Sequence, residues 1–154
     1  MRRKTPKRKI KPDIKYHSIN IAKFINQIMR KGKKSTAQRV VYDCFALIAE
    51  KTKKDPLEIF DGALKNVGPD VEVKSRRIGG GNYQIPIAVS GDRRLALAFR
   101  WIIGASRTRK GAPMGQKLAD ELIAAYNKEG AAIKKRMDTY KMAEANRAFA
   151  HFAR

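Results

Sequence analysis

One stretch of this chain refuses helical periodicity, and the rest is arranged before or after it: Val71 to Arg94. Val71 and Val73 alternate with Glu72 and Lys74, and Tyr83, Ile85, Ile87 and Val89 alternate with Gln84, Pro86, Ala88 and Ser90. Between them stands Gly79-Gly80-Gly81-Asn82. A period of two on both sides of a glycine turn predicts an antiparallel hairpin, a β-arm over 71–90. Two strands do not build a core alone, so the arm lies on helices or projects to a partner. Lys74, Arg76 and Arg77 cluster near the turn without an adjacent acid, which favours projection toward an anion. Such an arm adds little apolar area to a helical core and is expected to be separable from it.

Outside the arm, the apolar residues recur at helical spacing. Ile21, Phe24, Ile25, Ile28 and Met29 predict a first helix ended by Gly32. After Lys33 and Lys34, Ser35 or Thr36 is the candidate N-cap of a second helix carrying Val40, Val41, Cys44, Phe45, Leu47 and Ile48. Asp55-Pro56-Leu57-Glu58 reads as cap, first-turn proline and capping-box acid of a third helix, with Leu57, Phe60, Ala63, Leu64 and Val67 inward. Asp92 is the expected cap of a fourth, buried through Leu95, Ala98, Phe99, Ile102 and Ile103. A fifth uses Met114, Leu118, Leu122, Ala125 and Tyr126, and Ala131 to Arg154 reads as a sixth, resting on Ile133, Met137 and Tyr140. Trp101 is expected in the core rather than stacked on a base, and Phe149, His151 and Phe152 either dock back or meet a partner. The fold class is mainly α: a six-helix single domain, residues 12–154, with a protruding two-stranded arm and a basic tail at residues 1–11.

Charge limits function more sharply than fold does. The 154 residues carry 35 Lys and Arg against 14 Asp and Glu, a formal net charge of +21, although 43% of the composition is hydrophobic. An imbalance of this size repels itself in a compact monomer and points to a polyanion as partner, nucleic acid first. A basic membrane binder is disfavoured, because no apolar run approaches the roughly 18 residues of a spanning helix and no signal-peptide core follows the basic start. The protein reads as soluble and intracellular, with no membrane partner. A lone Cys44 excludes an internal disulfide and a cysteine metal cluster, and it reads as a core thiol in a reducing compartment.

Catalytic chemistry has no visible carrier. Phosphate-loop, zinc-protease and nucleophile-elbow motifs are missing. The three adjacent glycines lack the spacing and strand-to-helix context of a dinucleotide loop. His17 and His151 stand at opposite ends as ordinary surface or packing residues, and the acids Asp55, Glu58 and Asp92 already have helix-start roles. The expectation is a binding protein without cofactor or metal.

Four segments carry a resemblance: Gly32-Lys33-Lys34-Ser35-Thr36-Ala37, Val71 to Gly80, Arg93 to Ile102, and Met142-Ala143-Glu144-Ala145-Asn146-Arg147-Ala148-Phe149-Ala150-His151. In this order, and from tail to C-terminus without a large insertion, they closely resemble the bacterial-type small-subunit ribosomal protein S-seven family. The resemblance implies a primary binder of the 3′ major domain of small-subunit (16S-type) rRNA. Such a protein helps nucleate the subunit head near the exit-site tRNA and the mRNA exit path, beside the S-eleven protein. It places the protein in the small ribosomal subunit, cytoplasmic, or in an organellar matrix or stroma if organelle-encoded. Carried over by residue, Lys33, Lys34, Lys74, Arg76, Arg77, Arg93, Arg94 and Arg100 would meet rRNA, with Gly80, Gly81, Asn82, Tyr83 and Arg147 facing tRNA. The basic residues Arg2, Arg3, Lys4, Lys7, Arg8 and Lys9 of the tail and Lys134, Lys135 and Arg136 of the last helix complete the candidate rRNA contacts, and Arg93, Arg94 and Arg100 are expected to outweigh the tail. The alternative from residues alone is an architectural DNA-binding protein with a basic β-arm, which lacks here the apolar wedge such arms insert.

Overall fold

The computed structural model describes residues 10–153. The order is α1 (Ile19–Ile28), α2 (Lys34–Thr52), α3 (Pro56–Val67), β1 (Val71–Ile78), β2 (Gly81–Ala88), α4 (Gly91–Thr108), α5 (Met114–Tyr126), α6 (Ala131–Ala145) and a closing 3₁₀ helix, Arg147–Ala153. The fold class is the one the sequence predicts: a helical domain and one antiparallel hairpin. No described helix is long and apolar enough to cross a membrane. The basic residues before Ile10 lie outside the described residues.

The core follows from the stripes. Ile21, Phe24, Ile25 and Ile28 of α1 are all buried, at the i, i+3, i+4, i+7 spacing that places one side of a helix inward. Phe24 meets Phe60 and Phe99, each at 5.2 Å between ring centroids, and Phe45 meets Phe60 at 5.5 Å. These four rings join α1, α2, α3 and α4 at one point, and burial of each contributes about 1.5–3 kcal/mol. Cys44 is fully buried beside them, and burial pushes its thiol far above the ordinary range, so it is an inert core group. Trp101 packs half-buried against the same core. α5 closes the domain from beneath α2 and α3. Helix approach is close there, since a Cβ on Gly62 would lie 2.7 Å from the Tyr126 ring and one on Gly115 3.3 Å from the Val40 carbonyl.

Several helix ends differ from the sequence expectation, each for a local reason. α1 stops at Ile28, where Met29 turns extended, and Gly32 (φ +74°) instead serves the turn beyond, following Lys31 at φ +51°. Ser35 and Thr36 lie inside α2, whose cap position is Lys33 without a side-chain cap bond. Asp55 does cap α3, accepting from the Leu57 amide at 3.0 Å. Glu58 does not close a capping box; it accepts the Tyr126 hydroxyl at 3.3 Å. Asp92 sits one residue inside α4, capped in position by Ser90, and pairs with Lys23 at 3.8 Å. The terminal segment is not one helix: α6 ends at Ala145 and the chain tightens into 3₁₀ geometry. Its inward residues are the small Ala132, Thr139 and Ala143, while Met137 is exposed, because α6 lies close against β1 and α4.

The arm pairs Val71 with Ala88 through to Ile78 with Gly81. Gly79 and Gly80, at φ +56° and +90°, make the left-handed turn that L side chains rarely adopt. The arm is less separate than its sequence suggests. Ile85 is fully buried, Glu72 nearly so, and the closing 3₁₀ helix lies along β2. There Tyr83 meets Phe149 at 5.1 Å and Phe152 at 6.0 Å, so those terminal rings dock on the arm rather than on the helical core.

Candidate nucleic-acid interface

Cations on this surface fall into two groups, separated by whether the protein already answers their charge. The α1–α2 turn forces Lys33 and Lys34 outward: two consecutive left-handed residues precede them, and the Lys33 amide bonds back to the Arg30 carbonyl at 3.1 Å. Both are exposed at a helix N-terminus whose first turn holds no acid. Positive side chains oppose the positive end of the helix dipole, an arrangement that an incoming phosphate relieves. Arg100 projects from α4, Lys134 and Lys135 from the first turns of α6, and Arg147 from the start of the 3₁₀ helix; all are exposed. Among the described residues the side chains of these six make no hydrogen bond or ion pair.

On the arm, strand geometry splits a cluster that the sequence presents as one. Cross-strand partners share a face, so Glu72, Lys74 and Arg76 stand with Ile87, Ile85 and Tyr83, while Arg77 stands opposite them with Asn82. The first face is the one packed against the protein. Arg76 donates through Nη1 to the Phe152 carbonyl at 3.2 Å, and Lys74 pairs with Glu72 at 3.1 Å. Arg77 is exposed on the other face, with no polar partner among the described residues. Gly80 and Asn82 are exposed at the tip, Gly81 half-buried, and the 3₁₀ contact brings Arg147's segment to the same end of the molecule.

The second group is committed to structure. Arg93 grips Glu72 Oε2 with Nε at 3.1 Å and Nη2 at 3.0 Å, holding the start of α4 to the arm. Arg94 donates to the Gly68 carbonyl at 3.2 Å and pairs with Asp70 at 3.0 Å, so it caps the end of α3. Arg136 donates to the Asn66 carbonyl at 2.7 Å and lies over the Tyr140 ring at 5.1 Å; its buried Nε has no partner. Their sequence neighbours gave no hint of this, because Glu72, Gly68 and Asn66 reach them only through the fold.

Burial of Glu72 would raise its carboxyl, but the hydrogen bonds and charges of Arg93 and Lys74 outweigh that and hold it below its ordinary 4.5. A depressed folded value stabilises the native state above the unfolded value and loses that stabilisation as pH falls through the folded one. Thermal stability should therefore decline as pH drops below about 4.5, and Glu72→Gln should remove that part of the decline. Parallel melting curves of the two proteins from neutral to acid pH check this; identical acid slopes would contradict it.

The sequence reading missed one cationic pair. Arg107, at the end of α4, has its charged form disfavoured by burial and by the nearby Arg30, just past α1. No acid pairs with either among the described residues. The two are 77 positions apart by their numbers, so only the packing of α4 on α1 joins them.

The sequence that folds into this helical body with an arm matches a known family. The family model described as ribosomal protein S7p/S5e covers residues 1–147. The chain belongs to that family. Curated relatives named small ribosomal subunit protein uS7 agree: 57% identity to that of Thermotoga petrophila over 98% of this chain and 97% of the relative. That of Thermotoga maritima is 56% identical and that of Desulfatibacillum aliphaticivorans 55%, both over the same shares. The S7p/S5e proteins are structural components of the small ribosomal subunit rather than enzymes. Membership implies rRNA and the ribosome as partners.

Proposed function

We propose that this S7p/S5e protein is a primary binder of the 3′ major domain of small-subunit rRNA and helps nucleate assembly of the subunit head. The observation that carries the reading is the set of exposed cations without internal partners. Lys33, Lys34, Arg77, Arg100, Lys134, Lys135 and Arg147 are spread over the α1–α2 turn, β1, α4, α6 and the 3₁₀ helix, an arrangement suited to folded RNA rather than a single groove. The arm tip, residues 80–82, together with Tyr83 and Arg147, is the edge that faces exit-site tRNA and the mRNA path, and S-eleven is the neighbouring protein. Arg93, Arg94 and Arg136 act by fixing the arm base and the end of α3, so that the open cations keep their spacing. Tail residues Arg2 to Lys9 add contacts by charge.

Competition binding tests this against the architectural DNA-binding reading. RNA of the 3′ major domain should displace a labelled rRNA fragment far better than duplex DNA of matched length. Equal competition would overturn the proposal.

A further inference from the structure

The arm leaves the helical body with few supports. Among the described elements its backbone approaches only α6 and the closing 3₁₀ helix, and its base is fixed by the buried Ile85 and the Glu72–Arg93 pair. Beyond that base stand the last three cross-strand pairs: Arg76 with Tyr83, Arg77 with Asn82, and Ile78 with Gly81. A two-stranded ribbon is marginal in water by itself. The 3₁₀ helix grips the first of these pairs on both strands. Arg76 Nη1 donates to the Phe152 carbonyl at 3.2 Å, while the Tyr83 ring meets Phe149 at 5.1 Å and Phe152 at 6.0 Å.

Helix geometry explains why the two phenylalanines act together. At three residues per turn, positions i and i+3 eclipse, so Phe149 and Phe152 present both rings to Tyr83. At the 3.6 residues of an α-helix the second ring would be turned aside by about 60°. The seven residues Arg147–Ala153 also exceed the usual three or four of a 3₁₀ run, whose own hydrogen bonds are poor, and the ring contacts with β2 supply what those bonds lack. Tyr83 passes the contact on to the tip. Residues two apart on a strand share a face, and a Cβ on Gly81 would lie 3.0 Å from the Tyr83 ring. The ring is thus seated between the 3₁₀ helix and the backbone of the turn. Arg77, exposed on the opposite face and next to the gripped pair, takes its direction from this stack.

We propose that the closing 3₁₀ helix is a strap that sets the direction of the arm tip, with Phe149 and Phe152 as positioning residues for the phosphate contact of Arg77. The inference rests on the rRNA reading above and adds a dependence that reading does not contain: the C-terminal rings act on RNA binding through the arm.

The test compares the full chain with Phe149→Ala/Phe152→Ala and with the aromatic Phe149→Tyr/Phe152→Tyr. Both variants should melt as the wild type does, because the rings of Phe24, Phe45, Phe60 and Phe99 that join α1 to α4 lie elsewhere. Amide hydrogen exchange over residues 76–83 should speed up roughly tenfold or more in the alanine variant, the effect of losing two ring contacts, and stay slow in the tyrosine variant. A mutant cycle then reads the RNA. In the wild type, Arg77→Ala and Arg100→Ala should each weaken binding to 3′ major domain RNA by roughly fivefold at about 150 mM salt, as loss of one phosphate contact gives. In the alanine background the Arg77→Ala effect should shrink toward none while that of Arg100→Ala persists, and the tyrosine background should restore it. Unchanged exchange, or an Arg77→Ala effect equal in all three backgrounds, would overturn the inference while leaving rRNA binding in place. So would loss of the cooperative melt in the alanine variant, which would make the two rings part of the core. A wild-type chain that does not bind the RNA would instead overturn the rRNA reading, and the positioning role with it.

Discussion

Affinity for small-subunit rRNA should fall by roughly 10³ to 10⁵ between about 50 and 200 mM salt, the range expected when on the order of six to ten phosphates are neutralised. The cause is the imbalance of 35 cations over 14 acids. It is sharpened by the fold, which uses several acids internally: Glu72 by Arg93 and Lys74, Asp70 by Arg94, Glu121 by Arg109. Those pairs release no counterions on binding. The open cations do. Arg100→Ala should accordingly make the slope of log affinity against log salt shallower by about 1 with an unchanged melting temperature. Arg93→Ala should instead lower the melting temperature, because it takes both guanidinium bonds from the buried Glu72 and leaves it only the exposed Lys74. Equilibrium titrations across salt, with melting curves of each variant, distinguish the two. A slope near zero would refute an electrostatic interface altogether.

Truncating Glu121 should destabilise the protein by about 3 kcal/mol, near the lower end of the cost of breaking a buried ion pair. Its side chain is fully buried in α5. Oε2 accepts Arg109 Nε at 3.0 Å and Nη2 at 2.7 Å, and Oε1 accepts the Ala132 amide at 2.9 Å. One carboxylate therefore ties α5 to the α4–α5 loop and to the first turn of α6. Gly130, at φ +93°, gives it room: a Cβ there would sit 3.0 Å from Oε1. Glu121→Ala leaves an amide unsatisfied and a cavity in its place. The Arg109 side chain is 39% exposed and regains water, which is why the lower end applies. For a chain of this size the melting temperature should drop by roughly 6–12 °C. Glu121→Gln keeps the volume and the bond to Ala132, and should lose less. A shift under about 2 °C for the alanine variant would show that the carboxylate is not the tie described here.

What the sequence disclosed and what it hid divide along a physical line. Periodicity is local, so the stripe from Ile21 to Ile28, the alternation around Gly79-Gly80 and the Asp55-Pro56 helix start were legible. Pairing is not local. Nothing adjacent to Arg93 or Arg136 indicates that Glu72 or the Asn66 carbonyl will meet them, so cations held by the fold looked the same as those left open. Of Arg93, Arg94 and Arg100, only Arg100 keeps an uncommitted guanidinium, which narrows the expectation placed on the trio. The terminal helix was misjudged for a related reason. Its inward stripe was read as resting on Ile133, Met137 and Tyr140, yet the residues it buries are the small Ala132, Thr139 and Ala143, which let it pack close against β1 and α4.

The arm shows the same division. Its hairpin was readable, but the docking of Phe149 and Phe152 on Tyr83 joins residues far apart in sequence. Excising residues 75–84 would therefore release the closing 3₁₀ helix as well as the tip, while the aromatic cluster of α1 to α4 lies elsewhere and keeps its contacts.

On the proposed function, a folded array of open cations recognises one region of rRNA. Hydroxyl-radical footprinting of intact small-subunit rRNA, with the wild-type protein at moderate salt, tests it most directly. The account predicts protections confined to the 3′ major domain, weakened together when Lys33, Lys34 and Arg100 are replaced by alanine. Protections scattered over all domains, or centred in another one, would contradict it.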